Sequence, residues 1–265
     1  MTARPGGLHV ESIGEGPPLV LLHGFAMHGG LFSPILPALA ARARVHVVDL
    51  PGHGWSPSIE PFDLASIVAA VDATVDAKVP GDEPLTVLGW SLGGQVAMRW
   101  AQARPSRIAR LVLVATTPSF VTRDGWPYAM APATLARFGD ELRVAWRLTL
   151  QRFLMLQVQG SHDGRATLSA LRAHLFERGE PGAAVLAETL AMLARNDLRP
   201  DLRRIAVPAL VIGGDRDALV PLDATRELAA GLRLGVHAPI PGAAHAPFLS
   251  HPRAFVDALA PFVDG

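Results

Sequence analysis

The chain has 265 residues, 24 basic against 24 acidic side chains, no cysteine, and 49% hydrophobic residues. That length suits one large α/β domain, or a core carrying an inserted subdomain, and either can bury a substantial interior. The balanced charge offers no footing for nucleic acid, and the lack of cysteine excludes disulfides, thiolate metal sites and a cysteine nucleophile. The N-terminal stretch lacks the apolar core of a secretion signal, and no run of about 18 apolar residues marks a membrane span. The expectation is a cytoplasmic monomer with no membrane contact.

Leu8 to Ile13 alternates weakly and predicts an edge strand, followed by a turn over Gly14 to Pro18. Pro18 to Leu22 is a short apolar run of the kind buried on both faces of a parallel sheet. It ends in His23-Gly24-Phe25, where a glycine directly after a strand lets the backbone turn tightly beside a ligand. The Phe25 N–H is therefore a candidate oxyanion donor, and His23 reads as a structural histidine that orders the loop. Leu31 to Ala41 reads as a helix and Val45 to Asp49 as a buried strand, with a proline- and glycine-punctuated surface loop from Asp49 to Ser56. Asp63 has the position of an N-cap for a helix running to about Lys78.

Leu85 to Trp100 then reads as strand, sharp turn and helix around Gly89-Trp90-Ser91-Leu92-Gly93. The bare five-residue pattern is a weak signal, but its strand-before, helix-after setting is that of a nucleophile elbow. Such a turn holds the serine in a strained conformation, and glycines two residues to either side remove the collisions that side chains would make. The helix that follows aims free N–H groups, that of Leu92 first, at the place where an oxyanion would form.

Leu111 to Ala115 is the next strand, so strand and helix alternate in the manner of a parallel sheet wound on both faces. From about Ser119 to Pro200 no convincing strand appears, while Ala133 to Gln159 and Ala166 to Arg178 carry helical spacing. The expected organisation is an α/β core over residues 1–118 and 201–265 with a helical lid inserted over 119–200. Ala206 to Gly213 and Val236 to Ile240 resume the strand pattern, and Pro252 to Val263 closes the chain as a helix.

A serine nucleophile needs a base and an acid. In hydrolases of this topology they follow in the order acid, histidine, each on a loop at the C-terminal end of a strand. The loop after the resumed strand offers Asp215 and Asp217, of which Asp217 is the candidate acid and Asp215 the loop stabiliser. The last strand leads to His245 among small residues, the candidate base, whereas His251 directly precedes Pro252 at a helix start. Ser91 would attack an ester carbonyl as His245 takes its proton, with Asp217 fixing the imidazole and the Phe25 and Leu92 N–H groups holding the oxyanion. That chemistry calls for no metal and no organic cofactor.

These residues resemble the α/β-hydrolase superfamily from Leu19 to Val263, an α/β fold whose mostly parallel, doubly wound sheet carries an inserted helical lid. More closely, the chain resembles the pimeloyl-(acyl-carrier protein) methyl ester esterase family. The matches are Gly89 to Gly94, Pro118-Ser119-Phe120, Arg123-Asp124, Trp126-Pro127, Arg152-Phe153-Leu154, Leu156-Gln157, Asp197-Leu198-Arg199, Ala243 to Phe248 and Ser250-His251-Pro252. The resemblance implies Ser91, Asp217 and His245 as catalytic residues. It also implies substrate contacts from Phe25, Ser91, Leu92, Phe153, Leu154, Met155, Leu156, Gln157 and His245, and acyl-carrier protein as the partner. Phe25 stands where that family commonly has tryptophan. Arg152 and Arg165 align with its lid arginines, while Leu148 and Ser169 occupy neighbouring positions, with Arg147 and Arg172 close by as substitutes.

From Arg143 to Arg172 the sequence has five arginines against one acid, Asp163, which would make a basic face for an acidic carrier or a solvated, arginine-rich helix face. Rival readings are a general short-chain carboxylesterase, a carbon–carbon bond hydrolase with the same triad, or a receptor or scaffold that keeps the pocket without turnover. Haloalkane dehalogenases and epoxide hydrolases share the fold but use aspartate where Ser91 stands.

Overall fold

Residues 7–79 and 83–264 are described by the computed structural model. The reading of the extreme N-terminus falls partly on residues 1–6, outside that range. Seven strands are found among the described residues: β1 (Val10–Ile13), β2 (Pro18–Leu22), β3 (Arg44–Val48), β4 (Leu85–Trp90), β5 (Ile108–Val114), β6 (Ala209–Gly214) and β7 (Gly235–Ile240). They form one sheet in the order β1-β3-β2-β4-β5-β6-β7. Only the β1–β3 pair is antiparallel. Every residue of β2, β4 and β6 is buried, which is why their sequences are continuous apolar runs instead of alternating ones.

The chain moves from β2 outward to β3 and then crosses back to lay β4 on the other side of β2. At such a reversal the connections leave in opposite directions and open a crevice at the C-terminal ends of the two strands. Here those ends are His23-Gly24-Phe25 and Ser91.

Helices α1 (Leu36–Ala40), α2 (Leu64–Asp76) and α3 (Leu92–Ala103) fall between the first five strands. Asp63 caps α2 as expected, its Oδ1 accepting the Ser66 N–H at 2.8 Å. The single helix expected over Leu31 to Ala41 is instead a 3₁₀ turn at Gly29–Phe32 followed by the short α1. Pro34 and Pro37 are the reason: neither has an N–H to donate, so the helix restarts with proline in its first turn.

Between β5 and β6 lie α4 (Pro132–Val158), α5 (Gly164–His174) and α6 (Ala183–Arg195), packed over the crevice. Helix α4 is bent where Ala145 leaves helical geometry at φ −147°, ψ 55°. Helix α7 (Leu222–Gly231) covers β6 and β7, and α8 (Pro247–Ser250) and α9 (Pro252–Asp264) end the chain. The sequence reading singled out neither α6 nor α7. No helix among the described residues is long and apolar enough to cross a membrane.

His23, fully buried at the end of β2, joins two loops: its Nδ1–H donates to the Gly24 carbonyl at 2.8 Å and its Nε2 accepts the Leu50 N–H at 2.8 Å. That is the ordering role expected of it. Burial, reinforced by the neighbouring His53, pushes the His23 imidazole down from 6.5 to about 3. Burial likewise lowers His28, His46, His53 and His237.

The unfolded chain takes up these protons near pH 6.5, whereas folded His23 takes one only near about 3. Its contribution to stability is therefore full above 6.5 and is lost as pH falls through that window, at up to about 1.4 kcal/mol per pH unit. Melting temperature is expected to fall steadily on acidification below neutrality. A His23→Asn variant, less stable at neutral pH, should show a shallower fall in calorimetry across a pH series.

Candidate active site

Ser91 sits between β4 and α3 with φ 54° and ψ −114°, a conformation that non-glycine residues rarely adopt. The backbone is held there from both sides: the Ser91 N–H donates to the Val114 carbonyl at 2.9 Å, and the Thr116 hydroxyl donates to the Ser91 carbonyl at 2.7 Å. A Cβ at position 93 would drive into the backbone carbonyls of Leu22 and His23, and one at 89 into the Gly93 carbonyl. These two glycines let the first turn of α3 lie directly against the end of β2.

The Ser91 Oγ lies 3.0 Å from His245 Nε2, and His245 Nδ1 lies 2.8 Å from Asp217 Oδ2. With the carboxylate accepting from Nδ1, that nitrogen carries the proton and Nε2 presents its lone pair to the serine hydroxyl. The other Asp217 oxygen accepts the N–H groups of Leu219 and Val220 at 2.8 and 2.9 Å, which fixes the carboxylate's orientation. The three residues come from loops after β4, β6 and β7, and all are buried.

His245 is also clamped through its backbone. Its carbonyl accepts the indole N–H of Trp90 at 2.7 Å, and its N–H donates to the Gln157 carbonyl at 3.1 Å. The N–H groups of Phe25 and Leu92 have no hydrogen-bond partner among the described residues. Phe25 precedes Ala26, which takes a left-handed φ of 61° and turns the loop over the crevice.

A narrow cavity of about 100 Å³ opens on Ser91 and His245 between the strand ends and the inserted helices. Its walls include Phe25, Phe120, Phe138, Phe153, Leu190 and Leu219, with Thr134 the one further polar side chain and no charged group. It adjoins a wider groove of about 610 Å³ within the bend of α4, which carries Arg137, Glu141 and Arg152.

A model described as the alpha/beta hydrolase family matches residues 19–258. The chain belongs to the alpha/beta hydrolase family. A protein of Chromobacterium violaceum named pimeloyl-(acyl-carrier protein) methyl ester esterase is 44% identical over 96% of this chain and 96% of its own length. One of the same name from Xanthomonas campestris pv. campestris is 42% identical over 97% and 98%. Among solved structures, an esterase from Exiguobacterium antarcticum superposes with a TM-score of 0.86 over 97% of this chain and 96% of its own, at 22% identity, a likeness of fold alone.

In this alpha/beta hydrolase the expected residues are distributed unevenly. Ser91, Asp217 and His245 converge; Asp215 holds the Gly242 N–H at 2.7 Å, the loop role expected of it; and the His251 ring bonds only its neighbour Ser250 among the described residues. Of the expected substrate contacts, Phe25, Phe153 and Leu156 line the cavity and Met155 faces the outer groove. Leu92 and Leu154 are buried and line neither, and buried Gln157 contributes its backbone carbonyl to His245. Successive helical residues point about 100° apart, so five consecutive positions of α4 do not share one face.

The arginine surplus also shrinks in three dimensions. Arg143 pairs with Asp140, Arg147 with Glu180 while stacking on Trp146, and Arg152 lies 3.7 Å from Glu141. All three acids lie outside the sequence window; Asp140 is one helical turn from Arg143, and the fold brings Glu141 and Glu180 back to the other two. Arg165 and Arg172, exposed on α5, have no ion pair among the described residues. The sequence reading missed Trp90, Arg137 and Phe138. The signal for Trp90 was an indole beside the nucleophile on a buried strand, where its N–H needs an acceptor.

The hydrolase elbow depends on position 93 staying bare. Gly93→Ala should destabilise the fold by about 3 kcal/mol, several degrees in Tm, because it meets backbone that has no room to retreat. Thermal melts against an exposed control such as Gly125→Ala, where a Cβ meets nothing within 4 Å but φ is 69°, separate collision from conformational strain.

Proposed function

We propose that this hydrolase is a serine carboxylesterase that cleaves the methyl ester of a pimeloyl chain borne on acyl-carrier protein, releasing methanol. The observation that carries the reading is the hydrogen-bonded chain from Ser91 through His245 to Asp217, opening on a cavity without charged groups. The names of relatives sharing more than two fifths of the sequence over nearly the whole chain support the substrate.

His245 Nε2 removes the Ser91 hydroxyl proton as the oxygen adds to the ester carbonyl, and Asp217 steadies the imidazolium. The Phe25 and Leu92 N–H groups receive the oxyanion, each worth about 3 kcal/mol of barrier. The tetrahedral adduct collapses, methoxide leaves with the proton from His245, and an acyl-enzyme remains. Water then adds through the same base, and Ser91 leaves with its proton restored, giving the free acid. The inserted helices act as a lid that keeps bulk water from the acyl-enzyme.

The carrier would meet the lid at Arg165 and Arg172, with Arg152 at the groove's rim and Arg147 paired with Glu180. Asp217→Asn should lower kcat by about a thousandfold or more by stabilising the wrong imidazole tautomer. Ser91→Ala should abolish labelling by a fluorophosphonate, followed by intact mass.

Changing Arg165 and Arg172 to glutamate should raise KM for the carrier-borne ester by about tenfold at low salt relative to a free methyl ester, with the difference shrinking as salt is added. Equal loss on both substrates in steady-state assays would remove carrier docking from the reading.

A further inference from the structure

Helix α4 is 27 residues long, yet its two ends face each other. On a straight helix Phe138 and Phe153 would stand about 22 Å apart along the axis. The break at Ala145 folds the helix back on itself, and their ring centroids are 5.5 Å apart. Both rings also meet Phe25 edge to face, at 6.2 Å from Phe138 and 5.6 Å from Phe153.

This three-ring contact lies where the two cavities meet. Phe138 and Phe153 line both the inner cavity that holds Ser91 and His245 and the groove inside the bend of α4. The inner space is about 100 Å³ and uncharged; the outer is about 610 Å³ and bears Arg137, Glu141 and Arg152. Thr134 and Leu156 complete the wall that the two spaces share, so a substrate reaching the serine from the groove passes its chain along this ring cluster, leaving any charged end outside.

The three rings are anchored unequally. Phe25 is part of the buried β2 loop beside the serine. Phe153 lies on the half of α4 whose end is fastened to the catalytic loop by two backbone bonds, His245 N–H to Gln157 carbonyl and His162 N–H to Gly242 carbonyl. Phe138 lies on the other half, Pro132 to Val144, bounded by Ala131 in an extended conformation and by the break at Ala145. Its ring is the one whose size can change without touching the catalytic loop.

We propose that Phe138 determines substrate specificity: it closes a neck that passes an unbranched acyl chain from the α4 groove to Ser91 and turns away chains that carry rings or branches. The proposal rests on the esterase reading above and assigns the width of its acyl passage to one side chain. An apolar contact of this size discriminates by roughly 10- to 200-fold per group accommodated or refused.

The experiment compares kcat/KM for methyl heptanoate and methyl cyclohexylpropanoate in the full-length protein, Phe138→Ala and Phe138→Trp, with active sites counted by fluorophosphonate labelling. The ratio of ringed to linear ester should rise by about tenfold in Phe138→Ala and fall by a similar factor in Phe138→Trp. Opposite shifts per labelled site cannot come from a misfolded fraction. A ratio that both variants leave unchanged, while the unaltered protein turns over the linear ester, overturns the neck and leaves the esterase reading standing. An unaltered protein that hydrolyses neither ester, free or carrier-borne, overturns the esterase reading and the neck with it.

Discussion

The structure depends on one close approach, that of the first turn of α3 to the carboxyl end of β2. It is possible because position 93 has no side chain, and it is maintained because β2 and β4 are neighbours in the sheet. The approach forces Ser91 into its unusual backbone conformation. It also brings the start of α3, where the Leu92 N–H has no partner among the described residues, against the loop that carries Phe25. A strained residue persists when its surroundings over-determine it, and here the end of β5 and the loop after it do so through Val114 and Thr116, which hold both sides of the serine's peptide backbone.

His245 is where the core and the inserted helices are made into one object. Its side chain bridges Asp217 and Ser91, its carbonyl answers Trp90 on β4, and its N–H answers Gln157 on α4. A second fastening lies farther out, where Arg178, just beyond α5, reaches the buried Asp49 at 3.3 Å and Glu11 at 2.6 Å and stacks on Trp55. Buried ion pairs contribute little net stability because desolvation offsets the attraction, yet removing one partner is costly. Such a pair is suited to fixing where the insert sits on the core.

Charge is arranged by depth. The inner cavity presents no ionised group other than the relay itself, while Arg137, Arg143, Arg147 and Arg152 of the insert lie in the groove or on the surface, three of them already paired. A neutral ester loses little on entering such a space, whereas the carboxylate formed by hydrolysis is penalised there and favoured in the groove beyond. The same polarity that admits the substrate therefore helps release the product.

The sequence by itself determined what depends on local steric and periodic rules. The glycines at 89 and 93 marked the elbow because no other residue fits that turn, and the apolar run of β2 marked a strand buried on both faces. The order of Ser91, Asp217 and His245 followed from strand order, since they sit on the loops after β4, β6 and β7. Only the tertiary structure decided what depends on residues distant in the chain. The break at Ala145 brings Phe138 against Phe153, Glu141 and Glu180 return to Arg152 and Arg147, and the helical turn sends Leu154 to the core while Phe153 faces the cavity. A linear pattern records which residues are apolar or charged. Which of them meet is set by how the folded chain closes space, and the string 153–157 carries no mark of that, whereas Pro34 and Pro37 do mark the break within 31–41.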